Sequence, residues 1–103
     1  MSRHKVKFDD LEWESPMQGV RHKVLVSGGQ KLRLVEYSKD MEPHWCSVGH
    51  FGHIVSGRFE IIFDDGTEIF EEGDGVAIPD GEAHRHMARA LTDTVTALFV
   101  EKV

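Results

Sequence analysis

The sequence predicts an all-β fold, and three observations carry that expectation. Apolar runs of four to eight residues recur along the chain, each broken by Gly, Asp or Pro. Two pairs of such runs flank tight polar turns, Gly28-Gly29 and Asp64-Asp65-Gly66, as the strands of hairpins do. No segment of ten or more residues keeps a helical apolar period between capping residues.

Taken in order, the first twenty residues, which include DDLEWESPMQG, are the one stretch where a helical turn could sit. VLVSGGQKLRLVEY then supplies two strands around its Gly-Gly turn, and HFGHIVS a third that stops before Gly57. FEIIFDDGTEIF supplies the second hairpin. GVAIP precedes a turn from Pro79 to Gly81, HRHMA follows it, and TVTALFVEK closes the chain. These many short strands point to a sandwich or barrel. Met41, Phe59, Ile61, Phe63, Val95, Ala97 and Phe99 fall on alternating positions, as an interior lining requires. Trp45 points away from that interior, toward a dimer interface or outer cover, and Trp13 is expected to pack the amino-terminal segment over a barrel mouth.

The length of 103 residues allows one domain. Residues 1–29 read as an amino-terminal segment and first strand packing on the barrel, and residues 30–103 as the barrel itself. A chain this small buries a limited share of its surface, so a homodimer is expected. The net charge is −6 with His neutral, and the Lys and Arg residues gather mainly in RHKVK near the start and in RHK at 21–23. A phosphate backbone is best met by a basic face, so nucleic acid is not an expected partner. No apolar run approaches the roughly 20 residues of a membrane helix, and the start lacks the apolar core of a secretory signal. A single cysteine forms no internal disulfide and favours the cytoplasm.

Chemistry concentrates in two segments. PHWCSVGHFGHIVSG carries His44, Cys46 and His50, and GDGVAIPDGEAH carries His84. Thiolate and imidazole together select a divalent transition metal such as zinc. Strand alternation would turn His44 and Cys46 to one face with Trp45 on the other; His50 shares their parity, and His84 and His86 share a face on a later strand. His53 has the opposite parity to His50 and faces outward; His4 and His22 lie outside both segments. Taken singly, a cysteine is commonly an inert buried thiol and a histidine a hydrogen-bonded one. The Gly73–Gly81 stretch lacks the Lys-Ser/Thr ending and helix of a phosphate loop, so it reads as turn residues that aim His84. No oxyanion donor or orienting carboxylate is identifiable for a cysteine hydrolase.

With these residues in place, the chain resembles the cupin superfamily of small β-barrels. That family's first motif is written Gly, five residues, His-x-His, three or four residues, Glu, six residues, Gly. Here Ser38 stands at the opening Gly, His44 and Cys46 at the two His positions, His50 at the Glu and Gly57 at the closing Gly. The second motif, Gly, five residues, Pro-x-Gly, two residues, His, three residues, Asn, maps onto Gly73, Pro79, Gly81 and His84, with Ala88 in place of Asn. The resemblance implies a single-domain jelly-roll β-barrel over roughly residues 30–100 and a metal held by His44, Cys46, His50 and His84. Exchanging Glu for His removes a hard oxygen ligand, which favours Zn, with Fe or Ni as further candidates, over Mg or Ca. His86 is a candidate acid or base lining the cavity. Cupins span isomerases, dioxygenases, lyases, storage proteins and sugar-binding modules. Three classes therefore stay open: a metal-dependent enzyme acting on a small polar metabolite, a non-catalytic ligand-binding or metal-sensing module, and a structural metal site.

Overall fold

Alternation and turn chemistry build the fold that the sequence leads one to expect. In the computed structural model, which describes residues 4–103, the chain forms nine strands among the described residues and no α-helix. They are β1 (Glu14–Met17), β2 (Val20–Ser27), β3 (Gln30–Ser38), β4 (His50–Ser56), β5 (Arg58–Phe63), β6 (Gly66–Glu71), β7 (Gly75–Ile78), β8 (His86–Ala90) and β9 (Thr94–Lys102). A six-stranded sheet, ordered β1-β2-β3-β9-β4-β7, faces a three-stranded sheet, ordered β6-β5-β8, and together they form a jelly-roll barrel. All the strand pairs are antiparallel.

The β2–β3 hairpin turns at Gly28 and Gly29, with φ of 60° and 77°, and pairs Ser27 with Gln30. Two consecutive positive φ values match the twist of the flanking strands, which is why this turn takes glycine twice. The Asp64-Asp65 hairpin likewise pairs Phe63 with Gly66. The helical turn open to the first twenty residues is a single 3-10 turn at Phe8–Asp10. β1 lies on the sheet edge, where Pro16 withholds no ladder bond, and its solvent-facing ESPM carries no apolar alternation by which to anticipate it. Within the amino-terminal part, β1 and β2 join the larger sheet; residues 1–3, including Arg3 of the basic start, lie outside the described residues.

The core fills the space between the sheets. Val35, Met41, Ile54, Phe59, Ile61, Val95, Ala97 and Phe99 are buried there together, with Phe63 packed alongside. The alternating interior residues of the sequence reading all belong to this cluster or pack on it. Trp45 is exposed under the Arg85 guanidinium, 4.4 Å from its ring centre, and the Trp13 ring lies beneath Arg21 and Lys23. No helix among the described residues is long and apolar enough to cross a membrane.

Candidate metal centre

β4 opens with His50, and Gly49 before it sets where that strand begins. A Cβ on Gly49 would stand 2.3 Å from the Ile78 carbonyl oxygen, so only glycine lets β4 approach β7 here. The Gly49 amide donates to Asp80 Oδ1 at 2.6 Å, the Gly81 amide to the Ser47 carbonyl at 2.9 Å, and Ser47 Oγ to Glu82 Oε1 at 2.7 Å. These bonds tie the Cys46–Gly49 loop to the turn that precedes β8. Cys46 and His86 then exchange both backbone bonds, at 2.8 and 2.9 Å, in an isolated antiparallel bridge. Two segments forty residues apart in sequence are thereby held side by side, a separation plain from their numbering.

The result is a trio. One donor atom from each of Cys46, His50 and His86 lies within 4.8 Å of the other two. The His86 ring stands edge-on to that of His50, centroids 5.0 Å apart, and His50 stacks on Phe99 at 4.7 Å. Each imidazole has its Nδ1 committed: that of His50 donates to Glu101 Oε2 at 2.5 Å, and that of His86 to the His84 carbonyl at 3.1 Å. His86 Nε2 is the one buried side-chain polar atom without a hydrogen-bond partner among the described residues. A buried, unpaired imidazole nitrogen beside a thiol and a second imidazole is what a soft-to-borderline divalent metal fits.

Of the four expected ligands, the structure brings Cys46 and His50 together. His44 and His84 lie outside the trio. His44 sits on irregular backbone, not a strand, with its exposed ring bonded through Nδ1 to the Glu42 carbonyl at 3.2 Å. It is still close enough to act electrostatically on His86. His84 ends a 3-10 turn, Glu82–His84, and faces an outer groove with Phe63, Asp65 and Glu68. That turn rotates the chain between His84 and His86, so period-two parity does not run through both, and His86 alone of the pair begins β8 and turns inward. The cavity-lining position expected for His86 is therefore a place in the trio itself. His53 is exposed on β4.

Further polar residues adjoin the trio. Glu101, with its side chain 3% exposed, also meets Arg33 Nη1 at 3.3 Å and Lys31 Nζ at 3.5 Å. Burial alone would raise its carboxyl; the His50 hydrogen bond and the Arg33 and Lys31 charges outweigh burial and hold it at about 2. Arg33 Nε donates to His22 Nδ1 at 2.8 Å, so a polar line runs from His22 through Arg33 and Glu101 to His50. The buried Tyr37 phenol is pushed up to about 12, chiefly by burial, and keeps its proton. The signal for Glu101 was present in the sequence: Val95, Ala97 and Phe99 alternate inward on β9, and the next inward position is a glutamate.

The profile of the cupin domain matches residues 31–101. Solved structures of similar shape include KdgF from a Halomonas species, with TM-score 0.74, 18% identity, and coverage of 91% of this chain and 87% of that one. An RmlC-like cupin from Shewanella frigidimarina matches with TM-score 0.73 at 17% identity over 97% of this chain and 92% of the other. Hydroxypropylphosphonic acid epoxidase from S. wedmorenis matches with TM-score 0.76 at 13% identity over 93% of this chain and 57% of its own length. At these identities the likeness is one of fold. Among curated protein sequences none matches.

Proposed function

The chain belongs to the cupin domain family, and from that premise we propose that it binds a divalent transition metal through Cys46, His50 and His86 and holds a small polar metabolite beside it. The observation that carries this reading is the buried, unpartnered Nε2 of His86, a residue that stands in a Cys/His/His cluster. Two neutral imidazoles and one thiolate suit Zn, with Fe or Ni next, and disfavour Mg and Ca. Three protein ligands leave a position for a substrate oxygen or water, whereas a structural zinc site closes all four. Of the remaining expected ligands, His44 acts electrostatically on His86, and His84 contributes its carbonyl to the orientation of the His86 ring.

When bound, such a metal would supply a Lewis acid for a coordinated oxygen. The chain's own residues prepare the place: Phe99 and Glu101 set the plane of the His50 ring, the His84 carbonyl sets that of His86, and the core beneath excludes water. A non-catalytic binding module is the second reading, favoured by one observation. Glu101, the buried carboxylate beside the trio, is committed to His50, Arg33 and Lys31, and Tyr37 holds its proton, so neither offers a free base at neutral pH. We also infer a homodimer. Leu25, Leu32, Val100 and Phe51 lie in register across four strands on the outer face of the large sheet, and Phe51 and Val100 remain 51% and 40% exposed.

The test is metal content by elemental mass spectrometry on untagged protein purified without chelator. Near-stoichiometric Zn, Fe or Ni in the wild type, falling at least tenfold in affinity in Cys46→Ser and His86→Ala proteins confirmed folded, is the expected result. Equal metal in all three would sink the ligand assignment. Wild-type protein that takes up no metal after reconstitution under reducing conditions would leave only the metal-free binding module.

A further inference from the structure

A histidine ligand is only as good as the group on its far nitrogen. A neutral imidazole carries one proton, and whichever nitrogen holds it cannot ligate. In His86 a backbone carbonyl takes the Nδ1 proton. In His50 the corresponding acceptor is a side chain, Glu101, which stands at the end of β9, far from both sequence motifs. Its Oε2 lies 2.5 Å from His50 Nδ1, and its side chain is as buried as the core around it. The stack on Phe99 and the edge contact with His86 fix the plane of the His50 ring but leave its protonated nitrogen unspecified.

We propose that Glu101 is a positioning residue for the metal centre: it accepts the Nδ1 proton of His50, selects the tautomer whose Nε2 lone pair faces Cys46 and His86, and is itself held in place by Arg33 and Lys31. This inference rests on the reading of the trio as a metal site. The geometry supports the second half as well as the first. Lys31 is the direct cross-strand partner of Glu101 on β3, and Arg33 lies two residues further along the same inward row. Arg33 is itself pinned by His22 on β2. Carboxylate, guanidinium and imidazole thus come from four adjacent strands of one sheet, β2-β3-β9-β4, a rigid platform on which small rotations of His50 are resisted. An internal ion pair needing no metal would be satisfied by Arg33 and Lys31 alone. The shortest contact Glu101 makes is nonetheless to His50.

The experiment uses the metal-free 15N-labelled 103-residue chain at about pH 8.5 and long-range 1H–15N NMR to locate the His50 proton, followed by Zn(II) titration against a chromophoric competitor. Wild-type His50 is expected as the pure Nδ1–H form, with mixed tautomers in Glu101→Leu. Zn(II) affinity should fall in the order wild type, Glu101→Gln, Glu101→Leu, with a loss of about 10- to 100-fold in the last and unchanged stoichiometry. Glutamine keeps an acceptor without the charge, so its intermediate place is the mark of positioning. A proton on Nε2 of wild-type His50, or equal affinities in all three proteins, would overturn the proposal. The NMR readout needs no metal, so it decides the role of Glu101 even where the titration shows that the trio takes up none. Should Glu101→Leu fail to fold, the wild-type tautomer and the Glu101→Gln affinity still decide.

Discussion

Glu101 and His86 respond to acid in the same direction. The Glu101 carboxyl is held at about 2 against an ordinary 4.5, so the folded state favours its ionised form. Its contribution is complete above the unfolded value and is lost as pH falls from about 5 toward 2. His86 is pulled below 6.5, chiefly by burial, with repulsion from His50 and His44 adding and the His84 carbonyl opposing. A group favoured neutral when folded stabilises above its unfolded pKa, and that contribution fades as pH drops below 6.5. Urea midpoints of metal-free protein should therefore fall on acidification, with roughly 2–3 kcal/mol attributable to Glu101 between pH 5 and 2. Glu101→Gln should flatten the lower part of that profile; an unchanged profile would contradict the assignment. Phe99 is buried to 1% exposure and stacks on His50. Phe99→Ala should cost about 3–5 kcal/mol in chemical unfolding and weaken metal binding as well, since His50 loses one wall.

At the scale of elements, the site depends on a strand start and a turn. Gly49→Ala would force a methyl to within 2.3 Å of the Ile78 carbonyl, a contact with backbone that cannot swing aside. The β4–β7 pairing, which begins at His50 opposite Ile78, should then separate at this end. We expect a loss of about 1–3 kcal/mol by thermal or urea unfolding, together with weaker metal binding because His50 moves. At Gly28 and Gly29 a Cβ would meet nothing within 4 Å, yet both φ values are positive. Gly28→Ala and Gly29→Ala should each destabilise through backbone strain alone, by about 1 kcal/mol, and leave metal affinity unchanged. That contrast separates a glycine needed for space at the site from glycines needed for a turn remote from it.

At the scale of the whole molecule, the large sheet buries one face in the barrel and leaves a row of Leu25, Leu32, Val100 and Phe51 on the other. The amino-terminal residues Val6, Lys7 and Leu11 share one groove with Leu25, Leu32 and Val100, and Phe51 lies beyond them. A second copy covering this row would remove apolar area from water at about 25 cal/mol per Å². Light scattering should accordingly give about twice the 11.7 kDa chain mass, and Phe51→Glu should return the monomer. A monomeric wild type across micromolar concentrations would argue against the homodimer. The trio is formed within one chain, so the monomeric variant should keep its metal affinity.

The sequence by itself determined the all-β class, the two hairpins, the strands β4, β7 and β9 and the alternating core, and it singled out Cys46 and His50 as candidate ligands that the structure brings close together. Each of these follows from local rules: side-chain period two within a strand, and turn residues whose backbone demands are independent of the rest of the chain. Only the tertiary structure decided that His86, and not His44 or His84, completes the cluster. The 3-10 turn at Glu82–His84 breaks the alternation between His84 and His86, and the bridge between Cys46 and His86 joins segments that no local rule connects. Glu101 was legible as an inward position of β9, but its role was not, because its partners lie on β3 and β4 and their approach is set by sheet order. Local periodicity states which way a side chain points; which side chains meet depends on the long-range pairing that closes the barrel.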